Sequence, residues 1–295
     1  MPLTRSPLGA AACRVTHAAR LVLAATGFAL AATALAQSNA AGSFEPVVGQ
    51  AGKDVIWVPT PPMLVERMLR MAQVGAADTV VDLGSGDGRV AIAAAKDFGA
   101  RSLGLEFNPD MVALSRREAE KAGVAGRASF EQADIYKTDF SHASVVTMYL
   151  LPNINLDMRP ILLRMKPGTR VVSHQFNMGE WNPDDSADFL GRAAYLWVVP
   201  AKVGGNWRVE VAGGASYTVV IRQEFQRISG HAGPGTTTLG LRQPALWGDR
   251  ISFSFVDEAG RSREFSGVVN GAAIAGEMRT DGTRAVKFAA RRADD

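Results

Sequence analysis

The chain has 295 residues, 47% of them hydrophobic and 21% charged, with a formal net charge of +3 and a single cysteine. That length admits one large domain or two modest ones, and that balance excludes global disorder. One cysteine excludes a disulfide framework, and no His/Cys/Asp cluster has metal-ligand spacing, so no metal site is expected.

The first 36 residues carry Arg5, Arg14 and Arg20 and no acidic residue, then a soft apolar run over 21–36 that ends in Ala34-Leu35-Ala36 before Gln37. This is the layout of a secretory signal peptide, which predicts export to the periplasm and a mature chain beginning at Gln37. The run is short and Ala-rich for a membrane span, which needs ~20 strongly apolar residues, so no integral span is expected in the mature chain. An uncleaved anchor is the alternative. Cleavage removes Cys13 and three arginines, taking the net charge from +3 to zero. A nucleic-acid partner, which requires a concentrated basic surface, is therefore not expected. Residues 37–56, small and polar, read as a linker.

From Trp57 the chain becomes regular. A helix is expected over 63–74, with Thr60 as N-cap and Pro61 at its first position. A buried strand over 79–83 runs into Gly84–Gly88 and a helix through Phe98, stopped by Gly99. A second strand over 102–107 leads to a helix that Asn108 caps and Pro109 opens, ending before Gly123. Strands at 128–132 and 145–150, a helix at 156–165 and a fifth strand at 169–174 complete the series. This βαβαβ order predicts an α/β fold, a doubly wound, mostly parallel sheet. After about residue 183 strand-like runs separated by Gly-rich turns take over, at 195–203, 207–211, 217–227, 237–241, 251–256, 264–269, 273–278 and 285–290. They predict a C-terminal antiparallel β-rich barrel or sandwich. The expected division is 57–211 for the α/β domain and 212–295 for the β-rich one, with Phe253, Phe255 and Phe265 as core.

The chemistry concentrates in Asp82-Leu83-Gly84-Ser85-Gly86-Asp87-Gly88-Arg89, a Gly-rich loop from strand to helix where a ligand can approach the backbone. Arg89 stands where the dinucleotide fingerprint wants Gly or Ala, and Asp82 and Asp87 would repel a pyrophosphate. The same carboxylates suit a ligand with an ammonium and a sulfonium, as in S-adenosylmethionine. Glu106, at the end of the second strand, is placed to accept from ribose hydroxyls, and Asp134 with Ile135, after the third, lies where an adenine would sit. Three acids at consecutive strand ends make the pattern specific. The expected cofactor contacts are Asp82, Gly84, Gly86, Asp87, Gly88, Glu106, Asp134 and Ile135. Tyr149, Pro152 and Asn153, which follow the fourth strand, are expected on the acceptor side, with Tyr149 and Asn153 as the catalytic candidates. His174 is either a further cleft residue or a core histidine, and Asp139 competes with Asp134.

Residues 57 to about 182 resemble the seven-strand class I methyltransferases. The run Val58-Pro59-Thr60-Pro61, the Asp82–Arg89 loop and Glu106-Phe107-Asn108-Pro109 are similar to a narrower group. It holds small bacterial methyltransferases and the mitochondrial lysine methyltransferases that act on ATP-synthase c-subunit and carrier proteins. The resemblance implies that Asp82, Gly84, Gly86, Glu106 and Asp134 bind S-adenosylmethionine, and that the acceptor is a protein lysine or a small molecule. Tyr149-Leu150-Leu151-Pro152-Asn153 departs from the Asn/Asp-Pro-Pro-Tyr motif of base-amino methylases, which counts against a nucleic-acid base. The other reading is an exported binding or structural protein with a degenerate methyltransferase fold, motivated by the leader, because the cofactor is made in the cytoplasm. A misassigned start codon, leaving a cytoplasmic enzyme, dissolves that conflict. Nothing in the sequence specifies an oligomeric state.

Overall fold

A computed structural model describes residues 44–233 and 238–293. The expected signal peptide, its cleavage site at Gln37 and the first part of the expected linker lie outside the described residues. Among the described residues no helix is long and apolar enough to cross a membrane.

The α/β part runs α1 (Pro62–Met71), β1 (Thr79–Leu83), α2 (Arg89–Asp97), β2 (Arg101–Glu106), α3 (Pro109–Lys121), β3 (Ala128–Gln132), β4 (Val145–Met148), α4 (Pro152–Leu162), β5 (Arg170–His174), β6 (Asp185–Phe189) and β7 (Arg192–Val198). Its seven-stranded sheet has the order β3-β2-β1-β4-β5-β7-β6. The first five strands are parallel, and β7 returns antiparallel against β5. β1 and β4 are wholly apolar or paired and almost fully buried, as strands covered on both faces must be. From β1 the chain winds outward through β2 and β3 and then crosses back to β4 on the other side of β1, so the switch in winding falls between β1 and β4. In open α/β sheets that crevice, at the strands' carboxyl ends, is where ligands bind.

Local chemistry accounts for most boundaries. Asn108 Oδ1 accepts from the Asp110 and Met111 amides, capping α3 with Pro109 at its start. Gly99 and Gly123 follow helix ends in the left-handed region. α1 departs from the expected start: it begins at Pro62 with Pro61 before it, and no side chain caps it. The Thr60 hydroxyl is used elsewhere, as described below.

The β-rich part comprises β8 (Gly205–Val211), β9 (Ser216–Glu224), β10 (Arg227–Gly233), β11 (Leu239–Gly240), β12 (Arg242–Trp247), β13 (Arg250–Val256), β14 (Ser262–Asn270), β15 (Ala273–Thr280) and β16 (Val286–Arg292). They form one antiparallel sheet, β11-β10-β9-β8-β16-β15-β14-β13-β12. β10 also approaches β12, so the sheet curls toward closure. Its interior is packed by Trp207, Phe253, Phe255, Phe265 and Phe288, with Phe253 and Phe265 stacked at 5.0 Å. Strand 205–211, expected in the α/β domain, belongs to this sheet, pairing with β9 and β16. The two sheets meet where the Ala201 amide donates to the Gly248 carbonyl at 2.8 Å.

Candidate active site

A cavity of about 310 Å³ opens at the β1/β4 crevice, within the usual range for small-molecule sites. It is lined by the β1 loop, Glu106 and Phe107 after β2, Asp134 and Ile135 after β3, and Tyr149 to Leu151 after β4. Of the residues expected to hold a cofactor, Asp82, Gly84, Gly86, Asp87, Glu106, Asp134 and Ile135 line it, and so does Tyr149.

Asp82 is the penultimate residue of β1 and is 4% exposed. Its Oδ1 accepts from the Thr147 hydroxyl on β4 at 2.7 Å. Burial pushes its carboxyl up to about 7; the Thr147 bond opposes this, and Asp87 and Glu106 add to it. A carboxylate held so, facing other acids, is suited to a positively charged ligand. Glu106 takes the Gly86 amide on Oε2 and the Asn108 amide on Oε1, both at 2.9 Å, which fixes its carboxylate at the rim of the loop. The buried hydroxyl of Ser85 has no protein partner. Two fixed acids thus border an apolar slot, which matches an ammonium, a sulfonium and a ribose.

Asp87 lines the cavity, its carboxylate paired with Arg89, with Nε to Oδ1 at 2.9 Å and Nη2 to Oδ2 at 2.6 Å. Two expectations need correction. Gly88 does not line the cavity: a Cβ there would meet Phe130 of β3 and Ser115 of α3. Asn153 is exposed at the start of α4 and does not line the cavity, because helical geometry turns it away from Leu151 and Ile154, which do. Asp139, the competitor of Asp134, caps the turn at Ser141.

His174 is fully buried beneath Tyr149, ring centroids 3.8 Å apart, and shares a 3.0 Å hydrogen bond through Nδ1 with the Thr60 hydroxyl. Burial lowers it to about 4, with Arg192 adding, so it stays neutral. It supports the cavity wall and is not part of the lining.

Residues 49–56, expected as the end of the linker, form with Trp57 a folded strap over the cavity. The Gly49 amide donates to the Trp57 carbonyl and the Trp57 amide to the Gln50 carbonyl, each at 2.9 Å. Trp57 packs on Gly86, and Lys53 reaches Asp134 Oδ2 at 3.1 Å while lying 4.9 Å above the Phe107 ring centre. Sequence reasoning missed Lys53, Trp57, Ser85 and Thr147. Only Thr147 carried a signal, as a hydroxyl in an otherwise apolar strand neighbouring β1.

A doubly wound sheet with acids ending successive strands around a Gly-rich loop at the switch point defines a class I methyltransferase, whose cofactor is S-adenosylmethionine. Residues 82–185 match the family described as the ANTKMT methyltransferase domain. A protein-lysine N-methyltransferase of Saccharolobus islandicus is 44% identical over 151 residues, 49% of this chain and 94% of that protein. The chain belongs to the same methyltransferase family as that protein. A lysine N-methyltransferase of Mus musculus, named for the ATP-synthase c-subunit, is 38% identical over 129 residues, 43% of this chain and only 51% of its own length. A solved structure described as an RNA methyltransferase from Salinibacter ruber, in complex with S-adenosyl-L-homocysteine, shares 49% identity over 50% of this chain and 96% of its own, with a TM-score of 0.49.

Proposed function

We propose that this enzyme methylates the side-chain amine of a protein lysine. The observation that carries the proposal is the wall beyond Gly84: Tyr149, Leu150, Leu151, Ile154 and Phe176 make the far side of the cavity apolar and aromatic. A lysine ammonium entering such a slot is disfavoured in its charged form and gives its proton to solvent, leaving the neutral amine that attacks. The names of the Saccharolobus and mouse relatives support the same acceptor.

S-adenosylmethionine supplies an electrophilic methyl group on a sulfonium. In this reading Asp82 would hold the ammonium of its amino-acid end beside the Gly84–Gly86 loop, Glu106 would accept from the ribose and Asp134 from the adenine amine, beside Ile135. Tyr149, backed by His174, aligns the amine with the methyl carbon. Bound there, the cofactor would supply its methyl group to the aligned amine, and alignment in a dry cleft is worth several kcal/mol. Among the described residues no histidine or cysteine lines the cavity, consistent with deprotonation before attack.

Incubating the protein with radiolabelled S-adenosylmethionine and cell fractions tests the acceptor. Label is expected on protein, released as methyllysine on hydrolysis; label found only in RNA, or only in small molecules, overturns the reading. Tyr149→Ala is expected to lower turnover by about tenfold or more while changing cofactor affinity by less than about threefold.

Lys53 gives a second prediction. Its ammonium sits on Asp134, the acceptor assigned to the adenine amine, so the two compete. Lys53→Ala is expected to tighten binding of S-adenosylhomocysteine by about two- to fivefold, the scale of an exposed ion pair. Calorimetry showing weaker binding would mean that Lys53 holds the cofactor instead.

A further inference from the structure

The β-rich sheet also touches the α/β part through a turn whose contacts lead to the acceptor wall. The turn joining β9 and β10 carries Phe225, in the left-handed region at φ 54, and Gln226. The Phe225 ring stacks on Trp181, centroids 6.2 Å apart and 16° between planes, and the Arg159 guanidinium lies 5.8 Å from its centre. Gln226 Nε2 donates to the Asn182 carbonyl at 2.7 Å. Trp181 is wholly buried, and its carbonyl accepts from Trp197 Nε1 at 2.7 Å.

From there the contacts run inward. Arg159 belongs to α4 and donates to the Met178 carbonyl at 2.9 Å. One turn earlier on α4, the fully buried Asn155 donates through Nδ2 to Ser173 Oγ and to the Phe176 carbonyl, both at 3.1 Å. Phe176 lines the cavity and lies 6.3 Å from the Tyr149 ring. Leu151 and Ile154, at the start of α4, line it too. The helix and the 175–182 segment that wall the acceptor side are therefore clamped from behind by Phe225. None of these contacts involves Asp82, Glu106 or Asp134.

We propose that the β9–β10 turn is a positioning element for the acceptor, with Phe225 as its central residue. By fixing α4 and residues 175–182 it sets the width of the slot between Tyr149, Phe176 and Leu151. The proposal rests on the reading that this end of the cavity takes the acceptor.

The test compares full-length wild type, Phe225→Ala, Phe225→Tyr and the milder Gln226→Ala. Poly-L-lysine serves as acceptor, calorimetry with S-adenosylhomocysteine reads the cofactor site, and hydrogen exchange reads each segment. Phe225→Ala is expected to lower kcat/KM for poly-L-lysine by about tenfold or more with cofactor affinity unchanged. Exchange should rise in 149–156 and 174–182 and stay constant in 82–106. Phe225→Tyr should restore both, and Gln226→Ala should shift both slightly in the same direction. Exchange that does not change, or that rises equally around the cofactor loop, overturns the proposal, as does a matching loss of cofactor affinity. Wild type that labels no poly-L-lysine, beside a localised exchange change in Phe225→Ala, overturns the lysine reading and leaves the positioning role standing, because exchange needs no acceptor.

Discussion

Replacing Asp82 by Asn is expected to stabilise the cofactor-free protein at pH 8 and to cripple cofactor binding. The carboxyl is 4% exposed, and burial pushes it up to about 7, whereas in the unfolded chain it titrates near 4. The folded state thus holds this proton more tightly than the unfolded one. The resulting stability is full below about pH 4, declines as pH rises, and is lost once pH passes about 7. At pH 8 the wild type carries a buried carboxylate facing Asp87 and Glu106, which Asn replaces with a neutral group that still accepts from Thr147. The stability gain of Asp82→Asn over wild type should be about 2–3 kcal/mol larger at pH 8 than at pH 5. Urea titrations at the two pH values measure it. The same change removes the charge that meets the cofactor's cation, so S-adenosylhomocysteine affinity should fall about 10- to 100-fold. Wild-type affinity should itself weaken as pH drops below 7 and Asp82 takes up its proton. A variant destabilised equally at both pH values would show that the buried charge carries no such cost.

That opposition of stability and binding at Asp82 was visible in the sequence only as an acid in an apolar strand. Hydrophobic runs and helix signals located β1 and β3 to the residue, and the Asn108-Pro109 start of α3, because there local chemistry and tertiary burial agree. The three acids at strand ends followed from the strand order itself. Misses occurred where long-range contacts decide. β10 contains Gly230 and Gly233, which dilute its strand pattern, and β12 contains Pro244 beside a register shift between Arg242 and Ala245. β8 alternates in and out like any half-buried strand, so nothing local said which sheet it joins. Thr60 has the residue type of a cap, yet His174, 114 positions away, takes its hydroxyl. The strap at 49–57 has a linker's composition and is held by Trp57 and Lys53 against a loop and an acid that are distant in sequence.

The glycines of the β1 loop show the same division, and they lead to the second large effect. Sequence pattern gives Gly86 and Gly88 one role, approach to a ligand. The structure separates them. Both lie in the left-handed region, at φ 56 and 80, where a side chain costs about 1–2 kcal/mol. A Cβ on Gly86 meets Trp57 Nε1 at 2.7 Å, and Trp57 sits on the strap over the cavity. A Cβ on Gly88 meets Phe130 Cε1 at 2.7 Å and Ser115 Cβ at 2.8 Å, and both neighbours are buried between α3 and the sheet. Overpacking against such a wall adds about 1–3 kcal/mol. Gly88→Ala is therefore expected to lose about 2–5 kcal/mol of stability, a large part of what a domain possesses. Saturating S-adenosylhomocysteine should not restore its wild-type melting temperature. Gly86→Ala should melt closer to wild type, with the strap displaced and cofactor affinity reduced. Thermal melts with and without cofactor separate the two. A Gly88→Ala protein that melts like wild type and has lost only cofactor binding would return Gly88 to the ligand-contact role that its motif suggests.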